Sequence, residues 1–147
     1  AGNYDNKKPF QSIKIGKGKI IKKGKKIAFL NLGTRLKQVF ETSKLIKNQF
    51  EIDSTIVDMR FAKPIDKLLL KSLLKNHDIL ITIEENAIGG FSSQVNDYLL
   101  NSIDNTPKIL NFFMKDEFID QSDIGDQYLQ SGISPELIVK RVSKLLK

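Results

Sequence analysis

Asp78-Ile79-Leu80-Ile81-Thr82-Ile83-Glu84-Glu85-Asn86-Ala87-Ile88-Gly89-Gly90-Phe91-Ser92-Ser93-Gln94-Val95-Asn96 decides how this chain folds. The run from Asp78 to Ile83 is almost wholly apolar and rich in β-branched residues, the pattern of a strand buried on both faces. It stops abruptly at Glu84, Glu85 and Asn86. Gly89 and Gly90 then supply a hinge, and Phe91, Val95, Tyr98 and Leu99 recur at helical spacing. The segment therefore reads as strand, acidic corner, glycine hinge, helix. In open α/β sheets, the corner at the carboxyl end of a strand is where ligands and partner surfaces meet the fold.

The same alternation repeats upstream. Ile27 to Leu32 reads as a core strand closed by Gly33. A helix follows, with Thr34 as its cap and Leu36, Val39, Phe40, Ser43, Ile46 and Phe50 on one stripe. Ser54 to Asp58 is a second core strand. Pro64 turns Lys63 away from helix, Asp66 caps the next helix, and Leu69, Leu70, Leu73 and Leu74 form its apolar side. His77 falls at the helix-to-strand turn, where a solvent-facing or capping role is expected. Before all of these, Ile13 to Gly24 predicts an edge strand that turns back through Lys22-Lys23-Gly24 as a hairpin.

Downstream, Asn105-Thr106-Pro107 breaks the chain before a fourth core strand, Lys108 to Phe113. Met114 to Ser122 reads as a loop whose Phe118 and Ile119 turn inward, and Asp123 to Gln130 as a short helix stopped by Gly132. The last helix has Ser134 as cap, Pro135 in its first turn, Glu136 at its positive end, and Lys140, Arg141, Lys144 and Lys147 toward its negative end. Leu137, Ile138, Val142, Leu145 and Leu146 are its expected buried stripe. The prediction is a three-layer α/β/α domain, with a mostly parallel sheet of about five strands and one antiparallel edge strand. Residues 13–147 form the domain. Residues 1–12, polar, aperiodic and lacking an initiator methionine, read as the remnant of an interdomain linker in a longer protein.

Composition narrows the function classes. With 147 residues, 40% hydrophobic and 28% charged, the chain is ordinary single-domain material. No apolar run approaches the roughly 20 residues of a membrane helix, and no signal peptide is recognisable. The absence of cysteine excludes disulfides, thiolate metal sites and cysteine nucleophiles, and it fits a reducing cytosol or an organelle interior. The net charge of +7 comes from 24 Lys+Arg against 17 Asp+Glu. Its cluster at Lys17, Lys19, Lys22, Lys23, Lys25 and Lys26 lacks interleaved aromatics, so a solvated turn is expected and no nucleic-acid partner.

Catalytic apparatus is sparse. Gly16 and Gly18 precede a strand and have Ile21 at the third glycine position, which is a poor match to a dinucleotide fingerprint. One histidine and no cysteine leave no metal-ligand cluster. Ser92 and Ser93 lack a nucleophile elbow. The strand ends bring Gly33 with Thr34, Arg60, and Glu84 with Glu85 to one rim. Adjacent strand residues point to opposite faces, so Glu84 and Glu85 cannot both address one substrate. One of them is expected to pair with Arg60 or to accept amides at the Gly90 helix start.

Four motifs in order carry a resemblance: Ile15-Gly16-Lys17-Gly18, Ala28-Phe29-Leu30-Asn31-Leu32-Gly33-Thr34, Val57-Asp58-Met59-Arg60-Phe61-Ala62-Lys63-Pro64-Ile65-Asp66, and Ile83-Glu84-Glu85-Asn86-Ala87-Ile88-Gly89-Gly90-Phe91. From about Gly2 onward the chain resembles the carboxyl-terminal domain of the 1-deoxy-D-xylulose-5-phosphate synthases, in the transketolase superfamily. The resemblance implies an enzyme that condenses pyruvate with glyceraldehyde 3-phosphate on thiamine diphosphate and magnesium, opening the methylerythritol phosphate route to isoprenoids. Cofactor and substrates would lie between two preceding domains, which would be this domain's partners, and the whole enzyme would be a homodimer. The resemblance transfers no catalytic, cofactor-binding or metal-binding residue. The family's phosphate-binding arginine falls where this chain has Ala1. Arg60, Glu84, Glu85, Asn86, Gly89 and Gly90 match structural or interdomain positions. The family commonly has one more residue, a methionine, between Ile88 and Gly89, and reads Leu-Pro and His-Gly in the stretch matched by Met114 to Ser122.

Three functions compete. The first is the non-catalytic third domain of such a synthase, with the C-terminal domain of a transketolase or of a thiamine-dependent 2-oxo acid dehydrogenase β subunit as its near relatives. The second is a free-standing module binding anions or nucleic acid through the lysine hairpin. The third is a small enzyme acting through Glu84, Arg60 and the Gly90 helix start. The first is favoured by the motifs.

Overall fold

The computed structural model describes residues 12–114 and 132–146. The five strands are β1 (Lys19–Lys22), β2 (Lys26–Asn31), β3 (Thr55–Asp58), β4 (His77–Ile83) and β5 (Lys108–Phe112). The helices among the described residues are α1 (Leu36–Phe50), α2 (Lys67–Leu73), α3 (Phe91–Ser102) and α4 (Pro135–Ser143). The expected linker before Ser12, the inward turn of Phe118 and Ile119, and the short helix over 123–130 lie outside the described residues.

The strands form one sheet in the order β1-β3-β2-β4-β5. β2 runs parallel to both β3 and β4, β5 parallel to β4, and β1 antiparallel to β3. The expected mixed sheet with one antiparallel edge strand is thus present, but the expected hairpin is not. Lys22-Lys23-Gly24 does not fold β1 onto β2, because that turn is stitched to the start of β3. Gly24 N donates to Thr55 Oγ1 at 2.9 Å and Lys25 N to Asp53 O at 2.7 Å. A side chain at Gly24 would run into the Asp53 carbonyl. β1, with a lysine at each end, is left at the free edge of β3, where charge guards an unpaired strand. The apolar β2 takes the centre.

Alternation along the central strands divides the core. Ile27, Phe29, Ile79, Ile81 and Ile83 face α1 and α4, meeting Val39, Ile46, Ile138 and Val142. Ala28, Leu30 and Leu80 face α2 and α3, meeting Leu70, Leu73, Val95 and Leu99. Helices on both faces explain why these strands read as continuous apolar runs.

The helices follow their caps more closely than their expected stripes. Asp66 Oδ1 accepts from Leu69 N at 3.1 Å and Ser134 Oγ from Leu137 N at 3.3 Å, each opening its helix as expected. Phe40, placed on the buried stripe of α1, is 42% exposed; Thr42 turns inward instead, its hydroxyl satisfied by the Gln38 carbonyl at 2.8 Å. Leu137 is likewise exposed, and Val139 faces the core. His77 does not face solvent. It is buried at the start of β4, with Nδ1 2.6 Å from the Leu73 carbonyl and Nε2 2.7 Å from Thr55 Oγ1. The Leu73 carbonyl can only accept, so Nδ1–H is the donor there and caps the end of α2.

α1 leaves β2 toward one face and α3 leaves β4 toward the other. The crevice between the β2–α1 and β4–α3 corners is the switch point of the sheet.

Candidate functional site at the strand-end rim

β4 ends at Ile83, yet the Glu84 backbone N still donates to the Phe112 carbonyl at 3.1 Å. Gly89, at φ +99°, then lets the chain double back. This return lays the first amides of α3 on the Glu84 carboxylate. Oε2 accepts Phe91 N–H and Oε1 accepts Ser92 N–H, both at 2.7 Å, and Asn86 Nδ2 lies 3.4 Å from Oε2. Glu84 is fully buried there. It supplies the acceptors that a helix start lacks and a negative charge at the positive end of the helix. Gly90 has no alternative, since any side chain would collide with that carboxylate.

Glu85 goes the other way, across the switch point to the start of α1. Its Oε1 accepts the Thr34 hydroxyl at 2.6 Å and lies 3.2 Å from Arg35 Nε. Arg35 is 1% exposed against 36% for Glu85, so the pair joins a buried guanidinium to a half-open carboxylate. Thr34 is therefore not the cap of α1. Arg35 occupies that position without a side-chain capping bond, and Thr34 is turned toward Glu85. Beneath them the fully buried Asn31 donates from Nδ2 to the Gly33 carbonyl at 3.0 Å.

Arg60 stands apart from both glutamates. It adopts φ +61°, its backbone N donates to Asp58 Oδ1 at 3.2 Å, and its Nε lies 3.6 Å from Asp58 Oδ2. Of the two roles expected for a rim glutamate, Glu84 takes the second by accepting the amides at the Gly90 helix start, and the arginine that reaches a rim glutamate is Arg35 and not Arg60. Its signal in the sequence was its place just after Gly33 and Thr34, at the mouth of α1. Asn86 joins the rim to β5, its carbonyl accepting Met114 N–H at 3.0 Å.

A general base must lie within reach of the substrate's proton, and Glu84 is fully buried. Both Glu84 oxygens are engaged by amides, and Glu85 is held by Thr34 and Arg35. Among the described residues, no group of three or more His, Cys, Asp or Glu is placed to hold a metal ion. No described helix is long and apolar enough to cross a membrane. A concavity of about 670 Å³ lies at the opposite end of the sheet, lined by Lys23, Lys25, Lys26, Phe50, Ile52 and Asp53. Its one aspartate is already taken, because Lys47 and Lys22, at 3.0 and 3.3 Å, hold the Asp53 carboxyl below its usual range.

Residues 16–138 match the family described as transketolase, C-terminal domain. The chain belongs to that family. This transketolase C-terminal domain is 40% identical over 138 residues to the 1-deoxy-D-xylulose-5-phosphate synthase of Glaesserella parasuis serovar 5, and 35% identical over 140 residues to that of Vibrio parahaemolyticus serotype O3:K6. Those alignments take in 91 and 95% of the chain but 21% of each synthase, so the domain spans about a fifth of its curated relatives. A split-gene transketolase solved as an inactive β4 tetramer superposes with a TM-score of 0.81 at 27% identity, over 90% of this chain and 43% of that one. The transketolase of Campylobacter jejuni, at 18% identity and a TM-score of 0.60 over 92% of this chain and 19% of its own, shares the fold.

Thiamine diphosphate and magnesium, which the sequence resemblance implies for a whole enzyme, do not fit this rim. A divalent ion with a diphosphate needs free oxygen donors and converging cations. Here the buried carboxylate is committed to α3 and the cations to Glu85 and Asp58.

Proposed function

We propose that this chain is the third, C-terminal domain of a 1-deoxy-D-xylulose-5-phosphate synthase, and that its own role is structural. The observation that carries this reading is 35 to 40% identity to two such synthases across more than nine tenths of the chain. The whole enzyme would condense pyruvate with glyceraldehyde 3-phosphate, with loss of carbon dioxide, for isoprenoid synthesis. Thiamine diphosphate and magnesium would be held by the two preceding domains, and the protein would act as a homodimer. In that setting Arg60, Glu84, Glu85, Asn86, Gly89 and Gly90 shape an interdomain rim. The engagement of Glu84 and Glu85 by groups within the domain supports a rim that is built to hold shape.

Calorimetric titration of the 147-residue chain with thiamine diphosphate and magnesium tests where the chemistry resides. No saturable heat is expected, and the whole gene product should form 1-deoxy-D-xylulose 5-phosphate from the two substrates. Saturable binding by the 147 residues would overturn the structural role. Ketol transfer between sugar phosphates, without condensation of pyruvate, would assign the chain to a transketolase instead, a reading favoured by its likeness to the split-gene enzyme.

A further inference from the structure

The lysine-rich turn before β2, to which the proposed function gives no role, lines the concavity of about 670 Å³ at the end of the sheet opposite the rim. Small-molecule sites occupy ~300–1,000 Å³. Lys23, Lys25 and Lys26 share this lining with Phe50 and Ile52. The two apolar residues are half-buried and packed against the core under α1 and α4, so their open sides give the concavity an apolar floor.

The backbone collects the lysines there. Were β2 regular at its start, Lys25 and Lys26 would point to opposite faces. Instead the pairing of β2 with β4 shifts register between Lys26 and Ile27, and Lys26 adopts φ +65°, an uncommon conformation for a residue with a side chain. A bulge of this kind re-aims side chains, and both neighbours line one concavity. The turn is also held in place: Gly24 N donates to Thr55 Oγ1 at 2.9 Å, Lys25 N to Asp53 O at 2.7 Å and Lys26 N to Asn76 O at 2.9 Å. A backbone already ordered loses little freedom when a ligand arrives.

Charge selects the ligand. Among the described residues, no carboxylate pairs with the Lys23, Lys25 or Lys26 ammonium. Asp53 in the lining is offset by Lys22 and Lys47, at 3.3 and 3.0 Å. What opposes an anion is the exposed Glu51 and the carbonyl end of α1, which carries roughly half a negative charge. Three ammoniums exceed them. As point charges with rotatable donors, they suit the three oxygens of a phosphate monoester better than a planar carboxylate. We infer that this concavity binds a small organic phosphate, with the phosphate among Lys23, Lys25 and Lys26 and an apolar body on Phe50 and Ile52. The inference does not depend on the proposed function, since every group in it belongs to this chain.

The test is an NMR titration of the 147-residue chain with phenyl phosphate and, separately, with inorganic phosphate, following the backbone amides of Gly24, Lys25, Lys26, Glu51 and Ile52. Saturable shifts are expected with phenyl phosphate, at a dissociation constant of about 1 mM or tighter. Inorganic phosphate should bind at least about tenfold more weakly, because it leaves the apolar floor uncovered. The double substitution Lys25→Glu with Lys26→Glu should weaken phenyl phosphate at least about tenfold. Lys140→Glu with Lys144→Glu, which makes the same change in net charge on the exposed face of α4 and just beyond it, should alter it less than about twofold. No saturable shift at these amides would overturn the inference. So would equal affinity for the two phosphates, which would leave a lysine cluster without an apolar floor, or equal weakening by the two double variants, which would show a general effect of charge. Thermal melting of the Lys25, Lys26 double variant controls for folding; should its midpoint fall, Lys23→Glu replaces it in the same comparison.

Discussion

Glu84 shows how one residue can look catalytic and be structural. A buried carboxylate beside a glycine pair invites an acid–base role, but its two oxygens terminate the first amides of α3 at 2.7 Å each. Replacing Glu84 by Gln keeps one acceptor, turns an NH2 toward a backbone donor and removes the charge. The expected loss is about 2 kcal/mol of unfolding free energy, the scale of a charged hydrogen bond left unmade. Urea denaturation of the 147-residue chain measures it. In the whole protein, turnover per folded molecule should be unchanged. A fall in turnover with stability intact would show that Glu84 takes part in the reaction.

Asp66 acts on whole elements, since one carboxylate caps α2 through Leu69 N and pins the strap before β1 through Lys17 and Gly18 N. Burial by itself raises its pKa. The Leu69 amide, the Lys17 ammonium and the Gly18 amide together outweigh that effect and hold it below 3.8. A carboxyl whose folded pKa lies below its unfolded value stabilises fully above the unfolded value and loses that contribution as pH falls through the folded one. Asp66→Asn retains a capping oxygen but not the charge, so it should cost about 1 kcal/mol at pH 7. The difference from wild type should shrink toward zero as pH falls below the usual carboxylate range. Denaturation midpoints at neutral and acid pH check this; a constant difference would mean that the carboxylate's charge contributes nothing.

At the scale of the molecule, β2 and β4 couple two cores. Phe29 packs under α1 and α4, and Leu80 under α2 and α3, yet the two strands are directly paired. Phe29→Ala should cost about 3–5 kcal/mol and Leu80→Ala about 2–5 kcal/mol. Because the two layers share the central strands, each change should lower hydrogen-exchange protection on both faces and leave one cooperative transition. Loss confined to the substituted face would show that the layers unfold separately.

What the sequence determined by itself was local and periodic. The apolar runs of β2 and β4, the caps Asp66 and Ser134, and the motif order were enough for a layered α/β domain and its family, because burial on both faces and capping leave marks within a few residues of where they act. Tertiary structure decided whatever depends on partners distant in the chain. Whether β1 pairs with β2 or β3 was settled by the seating of Gly24 against Asp53 and Thr55, which no hairpin signal encodes. Arg35 and Glu85 are 50 positions apart, and only the meeting of two corners at the switch point makes them a pair. His77 was readable as a cap but not as buried, since its burial comes from Thr55 and Leu73 converging on it in the folded sheet.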